Sequence, residues 1–158
     1  MVEIFVDGDA CPVKQEVERV AARHGLSVHL VSNGGLRPSA YPVFHHVVVA
    51  EGADAADDWI VEHIAEGDIA ITADILLASR CLKKSARVLG PSGTAFTERG
   101  IGMALGMRDL QRHIREATGG ETYNAGLDKR DRSRFLNALE NEVQAGLRMA
   151  AKSAAQNP

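Results

Sequence analysis

Val2-Glu3-Ile4-Phe5-Val6-Asp7-Gly8-Asp9-Ala10-Cys11-Pro12-Val13 begins with a short apolar run, rich in β-branched residues, that stops at two carboxylates. A run of this kind bounded by turn chemistry reads as a buried strand leaving into a loop. Pro12 suits the first position of a helix, because a helix start leaves its N–H groups unpaired anyway. Val13, Val17, Val20 and Ala21 then recur at helical spacing up to His24, and Gly25 is placed as the C-terminal stop.

The strand–helix alternation continues outward from this unit. Further strands are predicted over 27–31, 45–50, 69–72 and 87–89. A helix carried by Ala55, Ala56, Trp59, Ile60 and Ile64 is expected to end near Gly67, and Asp74 is placed to cap another carried by Leu76, Leu77, Cys81 and Leu82. Residues 32–42, with Gly34-Gly35 and two prolines, read as a loop, and Gly90-Pro91-Ser92-Gly93 as a turn. Beyond it, Ile101, Leu105, Leu110 and Ile114 define a helix to Gly119-Gly120, a polar link covers 121–132, and Phe135, Leu136, Leu139, Val143 and Leu147 define a last helix. The expected fold is α/β, a three-layer sandwich around a central, mainly parallel five-stranded sheet with right-handed crossovers. One domain is expected over 1–148, with 149–158 a frayed tail.

The 158 residues suffice for one core without staples. Two cysteines, Cys11 and Cys81, show no CxxC spacing, so neither a disulfide framework nor a structural zinc site is suggested. The N-terminus carries Glu3, Asp7 and Asp9 where a signal peptide would be apolar, and no run approaches a membrane span, so a cytoplasmic protein with no membrane partner is expected. The net charge of −3 conceals an asymmetry. Residues 1–78 hold 4 Lys/Arg against 13 Asp/Glu, whereas residues 79–158 hold 14 against 8. An acidic site beside a basic surface suits a phosphate-bearing substrate.

In an open α/β sheet, ligands bind beyond the carboxyl ends of the strands where strand order reverses. Asp7 and Asp9 follow the first predicted strand, Asp54, Asp57 and Asp58 the third, and Asp74 the fourth. Asp54, Asp57 and Asp58 stand at i, i+3 and i+4 and so share a helix face. Singly, each has an ordinary structural role as a cap, a dipole partner or a turn residue. Together they would repel one another, and a hard divalent cation is the usual remedy. Oxygen-only ligation points to Mg²⁺ or Mn²⁺. The six histidines show no ligand-like spacing and are expected to be core or surface residues.

Asp7-Gly8-Asp9-Ala10-Cys11-Pro12-Val13-Lys14, Gly52-Ala53-Asp54-Ala55-Ala56-Asp57 and Thr72-Ala73-Asp74-Ile75-Leu76-Leu77-Ala78, with Gly90-Pro91-Ser92-Gly93 and Arg108 after them, together resemble the bacterial YaiI/YqxD family over about residues 2–148. That resemblance implies a fold similar to PIN and NYN nuclease domains, which use clustered acids with Mg²⁺ or Mn²⁺ to cut RNA. It implies Asp7, Asp9, Asp54, Asp57 and Asp74 as the acidic set, with Asp7, Asp9, Asp57 and Asp74 as metal ligands. Gly8 stands where alanine is expected. Cys11 also looks like a family feature, and a small buried residue at a helix start is its expected role.

The leading functional expectation is a metal-dependent phosphodiesterase acting on nucleic acid, RNA first. Lys14, Thr72, Arg108, Lys129 and Arg130 are the candidate phosphate contacts, with Arg37, Arg80, Lys83, Lys84 and Arg112 as further basic candidates. At 4% aromatic residues, base-stacking platforms are poorly supplied. A non-catalytic RNA- or ribosome-associated binding module would use the same acids. A phosphatase working through an aspartyl phosphate fits less well, since its pattern wants Thr or Val where Cys11 stands and its acidic pair late in the chain. A response-regulator receiver would need a lysine after the fifth strand, and Gly90-Pro91-Ser92-Gly93 supplies none.

Overall fold

The computed structural model describes residues 2–8, 13–32, 44–49, 54–102 and 129–156, with side chains as far as Lys152 in the last helix. Strands β1 (Ile4–Asp7), β2 (Val28–Ser32), β3 (Phe44–Val48), β4 (Ile69–Ile71), β5 (Arg87–Leu89) and β6 (Ala95–Phe96) form one sheet in the order β3-β2-β1-β4-β5-β6. The first five are parallel and β6 pairs antiparallel with β5. Six strands therefore replace the five expected. Ala95 and Phe96 are too few to show a period in sequence, and the Gly90–Gly93 turn that looks like an exit is the hairpin joining them to β5.

Strand order reverses at β1 and β4. From β1 the chain moves one way to β2 and β3, and from β4 it moves the other way to β5. Right-handed crossovers then place the intervening helices on opposite faces. Helix α1 (Lys14–His24) lies on one face; α2 (Ala55–His63) and α3 (Ile75–Leu82) lie on the other. The alternation of β1 records this division: Ile4 and Val6 belong to the core with Val17 and Val20 of α1, while Phe5 belongs to the core with Ile60 of α2 and Leu77 of α3. Asp7, two residues after Phe5, shares its parity and so stands on the α2–α3 side. β4 repeats the pattern, with Ile69 and Ile71 on the α1 side and Ala70 on the other.

The last helix, α4 (Lys129–Gln156), lies beside α1 and completes that layer with Phe135, Leu139 and Val143. It begins inside the stretch expected to be a polar link and runs to Gln156, past Met149, where the sequence suggests fraying. Ion pairs tie the helix to its neighbours, and that of Arg132 lies in the added first turn. Glu140 meets Arg23 and His24 at 2.6 Å each, Arg132 meets Glu16 at 3.3 Å, and Glu142 pairs with Arg87 of β5. Burial alone would raise the Glu140 carboxyl, but hydrogen bonds with His24, Arg23 and Gln144 outweigh it and hold the group below its ordinary range. Further along, the helix meets the turn before β4 through Gly146, where a Cβ would stand 2.5 Å from the carbonyl oxygen of Gly67, itself at φ +84.

Most boundaries shift by one or two residues from the sequence reading. Helix α1 ends as expected, with Gly25 at φ 66 in the left-handed region and its N–H turned back to the carbonyls of Ala21 and Ala22. Helix α2 stops at His63 because Ile64 turns extended, at φ −72 and ψ 144. Residues 98–102 are helical, and the helix expected from Ile101 to Gly119 otherwise falls outside the described residues, as does almost all of the loop over 32–42.

Candidate functional site

The crevice at the β1–β4 reversal is built from two side chains on neighbouring strands. Val6 lies opposite Ile71, so Asp7 and Thr72 are the next pair along, on the same face. Both are buried, at 9% and 1% exposure. The Thr72 hydroxyl donates to Asp7 Oδ2 at 3.0 Å and accepts the N–H of Asp74 at 2.9 Å. Asp74 caps α3 as expected, Oδ1 accepting the N–H groups of Leu76 at 2.9 Å and Leu77 at 3.3 Å.

Helix α2 brings three more carboxylates to the same edge. Asp54 occupies its N-cap position but makes no capping hydrogen bond and is exposed. Asp58 pairs with Arg80 of α3 at 2.9 Å. Asp57 lies between them in sequence and faces inward, and its carboxyl is pushed up from 3.8 to about 6. Burial is the largest cause, followed by repulsion from Asp74, Asp7 and Asp54, with Arg80 opposing. Three carboxylates, from β1 and from the N-caps of α2 and α3, thus act on Asp57.

This crowding has a consequence for stability. A folded-state value above the ordinary 3.8 means that ionising Asp57 works against the fold, so its contribution is fully present below about pH 4 and lost as pH rises through about 6. Asp57→Asn, a neutral mimic, should therefore melt above the wild type at pH 7–8 without metal, the gap closing towards pH 4. Thermal melts across that range check it, and a gap independent of pH would refute the assigned cause.

The other sequence candidates divide by location. Lys14 opens α1, half-buried. Lys129 and Arg130 are exposed at the start of α4. That end of the helix lies at the carboxyl edge, because Arg134 and Phe135 pack against the Gly93 turn that follows β5, and Arg132 reaches the first turn of α1. Arg80 is engaged by Asp58, and Lys84 donates to the Val61 carbonyl at 2.8 Å, at the opposite end of α3 from Asp74. Thr72 is an interior residue, its hydroxyl engaged by Asp7 and by the Asp74 N–H. Asp9, Cys11, Arg37, Arg108 and Arg112 lie outside the described residues.

The roles of two polar residues escaped the sequence reading. Arg80, a candidate phosphate contact by sequence, is a cation that opposes the acidic set at Asp57. Asp68 is buried at the amino edge, accepting the N–H groups of Glu3 and Ala65 at 3.0 Å each, and burial raises its carboxyl above the ordinary range. Its role is architectural: it ties the start of β1 to the turn before β4. The Cys81 thiol is pushed up to about 12 by burial and is inert. His29 stacks between Phe5 and His45, with ring centroids 4.8 and 5.3 Å away, and His63 stacks on Trp59.

The donors fit a hard cation by chemistry, all of them carboxylate oxygens. Among the described residues, no three His, Cys, Asp or Glu side chains close a ligand set by themselves. Mg²⁺ does not require that, because it keeps several waters and is commonly held by one or two carboxylates.

Residues 5–145 match the family described as Uncharacterized BCR, YaiI/YqxD. The chain belongs to the YaiI/YqxD family. It is 54% identical over 147 residues to the UPF0178 protein of Mesorhizobium japonicum, covering 93% of this chain and 95% of the relative. The UPF0178 protein of Rhodospirillum rubrum is 55% identical over 145 residues, covering 91% and 97%. No solved structure matches the chain. Among the described residues, no helix is long and apolar enough to cross a membrane.

Proposed function

We propose that this YaiI/YqxD protein is a Mg²⁺- or Mn²⁺-dependent, PIN-like phosphodiesterase acting on nucleic acid, with RNA the first substrate to test. The observation that carries the reading is the convergence of Asp7, Asp54 and Asp74 on Asp57 at the strand-order reversal, with Arg80 the cation opposing them among the described residues. Structural ion networks also perturb carboxyls, but they balance charge, and among the described residues Asp7, Asp54, Asp57 and Asp74 outnumber the one cation acting on Asp57. Asp7, Asp57 and Asp74, with Asp9 two residues beyond Asp7 in sequence, would hold the ion partly through its water shell. When bound it supplies a Lewis acid and an activated water for in-line displacement at phosphorus.

The chain's own residues supply the rest. Asp74 anchors the first turn of α3 and thereby fixes one wall of the crevice. Asp54, exposed and making no capping hydrogen bond, is available at the mouth. Lys129 and Arg130 at the same sheet edge offer charge to a polyphosphate backbone on the α1–α4 side.

Incubation of the purified protein with labelled RNA and DNA, with Mn²⁺, Mg²⁺ or chelator, tests the reading: cleavage that requires metal supports it. Tight, salt-sensitive RNA binding without cleavage under any metal would instead identify a binding module. For the basic edge, neutralising Lys129 and Arg130 together should weaken binding regardless of sequence. It should also reduce the slope of log K against log salt by about 1.4 for a single strand, roughly 0.7 per phosphate contact. An unchanged slope in filter-binding titrations would remove these two residues from the interface.

A further inference from the structure

We infer that Thr72 is the positioning residue of this site, one hydroxyl that holds the Asp7 carboxylate and the start of α3 in a single frame; this rests on the metal-dependent reading above. A hydroxyl has one proton to give and two lone pairs to offer. Because the Asp74 N–H can only donate, the Thr72 oxygen must accept there, and its single proton is then committed to Asp7 Oδ2. The bond so formed fixes the orientation of the Asp7 carboxyl group by one of its oxygens.

The residue carrying this hydroxyl is itself immobilised. Thr72 is 1% exposed, its N–H bonds the Leu89 carbonyl at 3.1 Å to continue the β4–β5 ladder, and its β-branched side chain has restricted rotamers. Asp74 in turn holds Leu76 and Leu77, so β1, β4 and α3 are linked through hydrogen bonds that run from Asp7 through Thr72 to Asp74. Carboxylates from separate elements are thereby kept in fixed relation before any ion arrives, which spares the ion the cost of ordering them.

Mn²⁺ titration of the folded protein by calorimetry, on wild type, Thr72→Val and Thr72→Ser, tests the inference. Thr72→Val keeps the shape and removes the hydroxyl. It should weaken Mn²⁺ binding by about 10- to 100-fold, the loss typical of partners behind a metal ligand, and should speed hydrogen exchange at the Asp74 amide. Thr72→Ser should restore affinity to within a few-fold. A purely architectural Thr72 predicts a lower melting temperature for Thr72→Val with Mn²⁺ affinity of the folded protein unchanged, and that result overturns the inference while leaving the metal site standing. Wild type that binds no Mn²⁺ overturns both. Where Thr72→Val does not fold, Thr72→Ala carries the same comparison.

Discussion

Asp7→Asn is expected to abolish metal-dependent cleavage while leaving nucleic-acid binding at or above the wild-type level. Asn is nearly isosteric and its side-chain oxygen can still accept the Thr72 proton, so the crevice keeps its shape and loses one negative charge. The loss of rate should be roughly 100-fold or more, the scale seen when a single charge-stabilising group is removed from an active site. Binding should hold because the proposed backbone contacts are Lys129 and Arg130, away from Asp7, and less repulsion from the acidic edge should favour a polyanion. Single-turnover cleavage with Mn²⁺, run beside filter binding, separates the two. Cleavage at the wild-type rate would remove Asp7 from the chemistry, whereas parallel loss of binding and cleavage would mean that the substitution acts through the fold.

Phe135→Ala is expected to have the largest effect on stability among single core truncations, about 3–5 kcal/mol. The ring is fully buried in the core shared by α1, α4 and the sheet, and the helix backbone at Phe135 presses on the Gly93 turn, so the cavity cannot readily collapse. At this chain length the cost corresponds to a fall of roughly 6–20 °C in Tm. Leu76→Ser provides the contrast, since Leu76 is 56% exposed and its replacement should stay within about 0.5 kcal/mol. Thermal melts of both variants check the pair. A small effect at Phe135 would mean that α4 is a detachable appendage rather than a layer of the domain.

Much of the fold can be read from the sequence because β1 announces it. An apolar run ending in Asp7-Gly8-Asp9, followed by helical spacing to Gly25, is a complete strand–helix unit, and the later units repeat its grammar. What could not be read is tertiary. Ala95 and Phe96 form a strand only because β5 offers them an edge, and the first turn of α4 gains an ion pair between Arg132 and Glu16 of α1 that no local pattern foretells. The acidic set was legible as a family of strand-end carboxylates. The sequence did not reveal how it is wired. Thr72 looked like one more polar residue at a strand end, and only the parity it shares with Asp7 on the adjacent strand turns it inward. Arg80, one turn and a half beyond Asp74, became part of the site through packing of α2 against α3.

The same closure by α4 sets a timetable for the chain as it is made. His24 and Glu140, which clasp α1 to α4, are 116 residues apart in sequence. At translation speeds of about 5–20 residues per second, the apolar stripe of α1, Val17 and Val20 foremost, emerges from the ribosome roughly 6–23 s before the helix that covers it. Throughout that interval the sheet can assemble its central strands, yet one flank of the growing protein stays open to chaperones or to a neighbouring nascent chain.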